Sequence, residues 1–266
     1  MPEEIELTIE DSIATVALNR PEKLNAITFA MWDELVSTLQ DLSFREDVNC
    51  VVLAGRGSHF SAGTDVTDLG RHAQLPPSKR AAFFTERLER TNRTFAVLQA
   101  MPQPVVSSVR GVAAGGGFGL AVGADLVVAS ENTRFSAATP GFGAIPDCGV
   151  PIQLFWAVGL KKAKQYCLMG EELSATVAAD LGLVNWVVGD AELEQKTKQV
   201  AEHLASMPRQ PLALAKASFG EMSTRSLAGH LAREARDVGA CVTDPRFPDR
   251  VERFLGRRRP QLDPAN

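Results

Sequence analysis

The stretch from Pro104 to Ser130, PVVSSVRGVAAGGGFGLAVGADLVVAS, constrains the fold more than any other part of the chain. An apolar run at Val105-Val106 breaks at Gly111, crosses Gly115-Gly116-Gly117 and Gly119, and ends in a second apolar run at Leu126-Val127-Val128. Pro102 and Pro104 cannot donate to a sheet ladder, so they mark where a strand begins. Leu120 to Ala124 is apolar and short-chained, which suits a buried, closely packed helix. The pattern predicts strand, glycine turn, helix, strand.

Glycines at such a turn let a ligand approach bare backbone, because no Cβ stands in the way. Amides at a helix start point at whatever negative charge lies there. A dinucleotide pyrophosphate, a nucleotide phosphate and an oxyanion forming on a carbonyl all suit that chemistry. The G-x-G-x-x-G fingerprint fails, since Val122 stands where the third glycine belongs after Gly117-Phe118-Gly119, and no G-x-x-x-x-G-K-[ST] is present. A turn made of glycine only for close packing fits the stretch equally well.

At 266 residues the chain can bury a substantial core. A net charge of −4 argues against a general nucleic-acid surface. Cys50, Cys148, Cys167 and Cys241 are scattered, without a C-x-x-C pair, which points to reduced thiols in a cytoplasmic protein. His59, His72, His203 and His230 lack metal-ligand spacing. MPEEIELTIED has no secretory h-region, and no apolar run reaches membrane-spanning length, so no membrane insertion is expected.

Alternation predicts a hairpin from Ile5–Glu10 and Ile13–Leu18. Thr28 is placed to cap a helix carrying Met31, Trp32, Leu35, Val36, Leu39 and Leu42. Val51 to Ala54 reads as a buried strand, Gly70 to Ser78 as a polar loop, and Lys79 to Met101 as a long helix. Arg134 to Gly149 is irregular and carries Phe135, Thr139, Phe142 and Asp147; long irregular stretches inside compact domains are usually functional. Helices are expected over Gln153–Met169 and Ser174–Leu181, a strand over Leu183–Val188, and helices from Asp190 onward, punctuated by Pro208 and Pro211. That division gives a β/α body over residues 1–207 and a helical region over 208–266.

Several spaced motifs together resemble one family. Leu18-Asn19-Arg20-Pro21, Leu24-Asn25-Ala26, Phe60-Ser61-Ala62-Gly63-Thr64-Asp65, Gly111 through Gly117 with Asp125, and Gly143-Ala144-Ile145-Pro146 look like the crotonase, or enoyl-CoA hydratase/isomerase, superfamily. Ala163, Gly182-Leu183-Val184 and the ending Phe254…Arg258-Arg259-Pro260 fit as well, so the resemblance runs nearly end to end. It implies an α/β fold, a crotonase-like spiral of ββα turns, with a C-terminal helical trimerisation region. The assembly it implies is a homotrimer or dimer of trimers.

The resemblance further implies an acyl-CoA substrate whose thioester carbonyl sits between the backbone N–H groups of Thr64 and Gly116. Coenzyme A would be part of the substrate, and no separate cofactor or metal is implied. Substrate contacts carried over by position are Lys23, Leu24, Ala26, Ser61, Ala62, Gly63, Gly115 and Thr139. Asp65 and Asp125 are expected to cap helices instead. Glu86 and Glu89 are read as a solvated helix face, His59 as a local packing residue, and Cys148 as an inert thiol. Arg257-Arg258-Arg259 would either meet CoA phosphates or form an exposed basic tail.

Hydration of a conjugated double bond uses two carboxylates to position and activate one water. In hydratases of this family they stand at the positions of Gly119 and Thr139, and neither residue can ionise usefully. Asp147 lies where dienoyl-CoA isomerases carry an acid/base aspartate and 4-chlorobenzoyl-CoA dehalogenases a nucleophile. The resemblance therefore implies enolate-type proton transfer by Asp147. The alternatives are a non-catalytic acyl-CoA carrier or sensor, and other crotonase chemistry at Asp147 such as dehalogenation. The sequence disfavours dehalogenation, because its irregular loop supplies only Phe135 and Phe142 as aromatic walls. A peptidase branch of the fold lacks a partner histidine for Ser61 or Ser136.

Overall fold

The computed structural model describes residues 3–138, 141, 143–222 and 224–257. Thr139, Pro140, Phe142 and the Arg258-Arg259-Pro260 motif lie outside the described residues, as does the Arg257 side chain.

Strands β1 (Ile5–Glu10) and β2 (Ile13–Leu18) pair antiparallel about Asp11-Ser12, and both turn residues have positive φ. Thr28 then caps α1 (Phe29–Ser43), its hydroxyl accepting from the Met31 N–H at 3.1 Å. β3 (Cys50–Gly55), β4 (Val105–Val109), β6 (Leu126–Ser130) and β9 (Trp186–Val188) add in parallel, giving the order β1-β2-β3-β4-β6-β9. Their near-continuous apolar runs follow from burial on both faces. Val51, Leu53, Val105, Val109 and Val127 face the main core, while Cys50, Val52, Val106 and Val128 face α7 (Leu193–Ser206). A second sheet joins β5 (Val112–Ala114), β7 (Arg134–Ser136) and β8 (Leu173–Ser174).

The glycine run is itself helical: α4 spans Gly116–Val122, starting earlier than the apolar residues predicted, and every residue in it is buried. Close packing explains this, since a methyl group on Gly117 would stand 2.6 Å from Ser61. The loop expected at Gly70 to Ser78 is mostly helix, divided between α2 (Val66–Ala73) and the start of α3 (Pro77–Ala100). α2 buries no residue, so its sequence carries no apolar period; the Asp65 carboxylate caps it by accepting from the Thr67 N–H at 2.8 Å.

α5 (Val150–Met169), broken at Gly159, and α6 (Ala175–Asp180) precede β9. Beyond α7 come α8 (Arg209–Gly220), α9 (Leu227–Val242) and α10 (Phe247–Arg257). Pro211 stands in the first turn of α8 rather than between helices, where its missing N–H leaves no bond unmade. Asp125 caps no helix. It accepts from the Val105 N–H at 2.7 Å and pairs with Lys216 at 2.7 Å, fastening α8 to the start of β4.

Candidate active site

Three segments converge on the start of α4: Arg20 to Ile27 after β2, Ser61 to Asp65 after β3, and β5 with the turn that follows it. Main-chain bonds lace them together. The Ser61 N–H donates to Val112 O at 3.0 Å, and Ser61 O accepts from Ala114 at 2.9 Å. The Ala62 N–H donates to Leu24 O at 2.9 Å, and the Ser61 hydroxyl to Asn25 O at 2.8 Å. Buried Asn25 accepts from the Arg20 N–H and donates to the carbonyls of Arg56 and His59, so its amide is fully engaged.

The Ile27 N–H donates to Gly63 O, and the Asp65 N–H donates to Ile27 O. In that parallel bridge Ile27 uses the peptide groups on either side of Thr64, so the Thr64 N–H points the other way. Gly63 has φ +92°, and a methyl group there would lie 2.6 Å from Ala114 O and 3.3 Å from the Gly116 nitrogen. The Thr64 turn and the Gly116 amide are thus immediate neighbours. Gly115 (φ 50°, ψ −122°) donates to Ser136 O at 2.9 Å and leaves Gly116 as the first helical amide. Among the described residues, neither the Thr64 nor the Gly116 N–H has a hydrogen-bond acceptor.

Trp32 completes this wall. Its indole N–H donates to the Thr64 hydroxyl at 3.3 Å, and its ring stands 2.8 Å from a methyl group built on Gly116. Phe95 lies against it, with ring centroids 6.0 Å apart. From the sequence Trp32 reads only as a helix-face residue, because its apolar spacing gives no sign of what it meets.

Beside this wall stands the turn Asp147-Cys148-Gly149, closed by the Val150 N–H donating to Asp147 O at 3.0 Å. Cys148 (φ 52°) and Gly149 (φ 74°) are both left-handed. The turn drives the Cys148 carbonyl against α4, to 2.1 Å from where a Cβ on Gly119 would stand. The backbone thus fills the space into which any side chain at 119 would extend. Cys148 Sγ lies 3.3 Å from the Cβ position of Gly116. Burial raises the Asp147 carboxyl above its ordinary value. Burial and the neighbouring Asp147 push the Cys148 thiol well above its ordinary value.

The structure therefore brings Gly63, Thr64, Gly115, Gly116 and the Asp147 turn together. Leu24, Ser61 and Ala62 are laced into the same wall, and Ala26 O accepts from Arg20 Nη1 at 2.7 Å. Lys23 is exposed in a 3-10 turn, Pro21–Lys23, beside Leu24. Phe135 is fully buried against Phe118 and belongs to the core; among the described residues, Phe95 comes within 3.8 Å of the Cβ position of Gly149, and Trp32 meets Gly116 beside Cys148. Glu86 and Glu89 are exposed. His59 Nδ1 accepts from the Val112 N–H at 3.1 Å, a local loop bond. Among the described residues, no three His, Cys, Asp or Glu side chains gather as metal ligands would.

With that geometry in hand, the chain can be set beside known proteins. The sequence profile of the enoyl-CoA hydratase/isomerase family matches residues 8–264. The 1,2-epoxyphenylacetyl-CoA isomerase of Escherichia coli (strain K12) is 33% identical over 255 residues, covering 96% of each chain. A 4-chlorobenzoyl coenzyme A dehalogenase of an Arthrobacter species is 28% identical over 247 residues, covering 93% of this chain and 88% of its own length. The crystal structure of an enoyl-CoA hydratase from Polaromonas sp. JS666 superposes with a TM-score of 0.88 at 28% identity, covering 97% of this chain and 98% of the other.

Proposed function

This chain belongs to the enoyl-CoA hydratase/isomerase family, and on that premise we propose that it binds an acyl-CoA thioester and isomerises it by moving a proton. The thioester oxygen accepts hydrogen bonds from the N–H groups of Thr64 and Gly116. Lys23, Leu24, Ala26 and the Ser61-Ala62 segment line the path of the CoA chain. Charge developing on that oxygen meets amides already in place, and one such donor typically contributes about 3 kcal/mol to the barrier.

The Asp147 carboxylate removes a proton from the carbon next to the carbonyl, and the electron pair moves onto the thioester oxygen as an enolate. In a thioester with a double bond one carbon further along, that enolate is a dienolate, and Asp147, now protonated, returns the proton to the far carbon of that double bond as the carbonyl re-forms, giving the conjugated isomer and regenerating the carboxylate. Burial raises the proton affinity of this carboxyl above that of a free one, which suits a group that accepts and then returns a proton.

One observation carries this reading: the Cys148 carbonyl packed onto Gly119. Family hydratases carry a carboxylate at that position, and here backbone fills the space. Asp147, on the same turn, is the carboxylate this reading assigns as the base.

Two alternatives have their own support. The dehalogenase relative and the Trp32–Phe95 pair favour nucleophilic attack by Asp147 on an aromatic ring, with halide leaving and water hydrolysing the resulting ester. A carrier or sensor would keep the amide pair without turnover. A panel of 2-enoyl-, 3-enoyl-, dienoyl- and halobenzoyl-CoA thioesters separates all three. Isomerisation that falls by roughly 10²- to 10⁴-fold in Asp147→Asn, with binding unchanged, supports the proposal. Binding of every thioester with conversion of none would establish the carrier reading instead.

Assembly belongs to the same proposal: residues 208–266 form the contacts of a homotrimer or dimer of trimers. Leu227 and Val238 on α9 are 75% and 61% exposed, and neither α8 nor α9 buries a residue within the single chain.

A further inference from the structure

Of the three tryptophans, only Trp32 is fully buried, and a buried indole needs an acceptor for its N–H. Its core-facing neighbours on α1, Met31, Leu35, Leu39 and Leu42, carry no side-chain donor and make no such demand. The acceptor it finds is the Thr64 hydroxyl, at 3.3 Å. The same edge of the ring reaches the glycine run, with Cζ2 standing 2.8 Å from the Cβ position of Gly116. Nε1 and Cζ2 are both bonded to Cε2, so one rigid edge meets both residues. The Thr64 hydroxyl lies 3.5 Å from that same Cβ position, which closes a triangle of indole, threonine and glycine.

We infer that Trp32 is a positioning residue, whose indole edge sets the spacing between the Thr64 and Gly116 N–H groups. The inference rests on the proposed role of those two amides in holding the thioester oxygen. Main-chain bonds tie the Thr64 segment to Ile27 and to β5, and Gly115 to Ser136. Among the described residues, no main-chain bond joins Thr64 to Gly116 itself. Thr64 is β-branched, so an anchored Oγ fixes χ1 and couples the ring to the backbone that carries the amide.

The ring is itself held. Phe95 backs it, with centroids 6.0 Å apart. Asp33, the next residue of α1, accepts from Arg87 of α3 through Nη1 at 2.9 Å and Nη2 at 2.6 Å, a bidentate clamp between the two helices. The start of α1 is tied down by the Phe29 N–H, which donates to the Asp68 carboxylate at 2.8 Å.

The test reads carbonyl polarisation, which depends neither on turnover nor on Asp147. The probe is butanoyl-CoA carrying ¹³C at the thioester carbonyl, its C=O stretch measured by isotope-difference infrared spectroscopy. Two amide donors should lower that stretch in the wild type relative to the free thioester. Trp32→Phe keeps an aromatic ring without the N–H, and Thr64→Val keeps the branched shape without the acceptor. Each should reverse about half of the shift, since one of two donors is displaced. The double variant should go no further than Trp32→Phe, because both changes remove the same bond. Thr64→Ser keeps the hydroxyl and should keep the wild-type frequency. On a thioester that the wild type turns over, kcat in Trp32→Phe should fall about 10- to 100-fold, the scale of a misplaced group, with KM changed less.

Wild-type frequencies in both Trp32→Phe and Thr64→Val would overturn the inference, even if both proteins lose stability, since that loss alone is what a packed core residue gives. Additive shifts in the double variant would overturn it as well. An unshifted stretch in the wild type defeats the amide-pair reading, and the inference with it. If Trp32→Phe does not fold, Thr64→Val and Thr64→Ser decide, and equal frequencies in the two overturn the inference.

Discussion

The loop after β3 and the loop before α5 meet over the same short helix, and they are held there in different ways. From Ser61 to Asp65 nearly every peptide group is committed: to Val112 and Ala114 on one side, to Leu24 and Ile27 on the other, with the Asn25 amide bracing the chain behind. Among the described residues from Ala138 to Gly149 the fastenings are local, such as the Ala138 N–H to the Ser136 hydroxyl and the Val150 N–H to Asp147 O. What meets α4 from the second loop, among the described residues, is contact rather than bonding, a carbonyl lying on a glycine. The amides that would meet an oxyanion thus belong to the sheet framework, while the carboxylate rides on a turn. On the proposed reading, such a division would let the acid/base group change without disturbing carbonyl recognition.

Breaking the framework side should have the larger effect. Gly63→Ala puts a methyl group 2.6 Å from Ala114 O, at a φ of +92° that alanine avoids, so the Thr64 amide must swing away. With one of two oxyanion donors lost, kcat should fall by roughly 10²- to 10³-fold. Steady-state kinetics on the best thioester from the panel, with calorimetric binding of free CoA as the control, reads this directly. A kcat within a few-fold of wild type would mean that the Thr64 amide is not aimed at the thioester.

On the other loop, Gly119→Glu examines whether filling one residue restores hydration. The new Cβ meets the Cys148 carbonyl at 2.1 Å, so the turn must move or the helix must shift. Overpacking of this kind costs about 1–3 kcal/mol, measurable by urea denaturation. Hydration of 2-enoyl-CoA should not appear, because relief of the clash displaces Asp147. A stable Gly119→Glu protein that hydrates would show that the turn yields freely and that the glycine alone had excluded the reaction.

The same contrast explains what the sequence made legible. The β1–β2 hairpin, the Thr28 cap and the buried run at Val51 to Ala54 are local patterns, and each appears where alternation or capping placed it. The glycine turn was legible as a place of close approach, because backbone geometry restricts Gly63 and Gly115 whatever surrounds them. The packing of Cys148 on Gly119 was not. It joins residues distant in the chain through a carbonyl, which has no side-chain signature. α2 escaped because it lies on the surface with nothing buried to set a period. Asp125 looked like a cap because it follows a helix, and only the fold reveals Lys216 arriving from α8. Trp32 fits its helix face as a core residue, and its indole bond to Thr64 becomes visible only once α1 lies beside the β3 loop.

The smallest predicted effect isolates strain from chemistry. Ala138 begins the second loop with φ 55°, a left-handed conformation that costs alanine about 1 kcal/mol or slightly more. Ala138→Gly removes that cost but gives the unfolded chain more freedom, which opposes folding by about 0.4–1 kcal/mol. The two terms nearly cancel, leaving a net stabilisation of roughly 0.5 kcal/mol or less, readable as a small rise in the urea midpoint with an unchanged slope. If contact with α4 is what seats Asp147, kcat/KM should be unaltered, because the Cys148 carbonyl still rests on Gly119. A clear fall in kcat with stability preserved would instead make the strained backbone at Ala138 the device that aims Asp147, and the two loops would then differ in bonding pattern but not in how rigidly they present their groups.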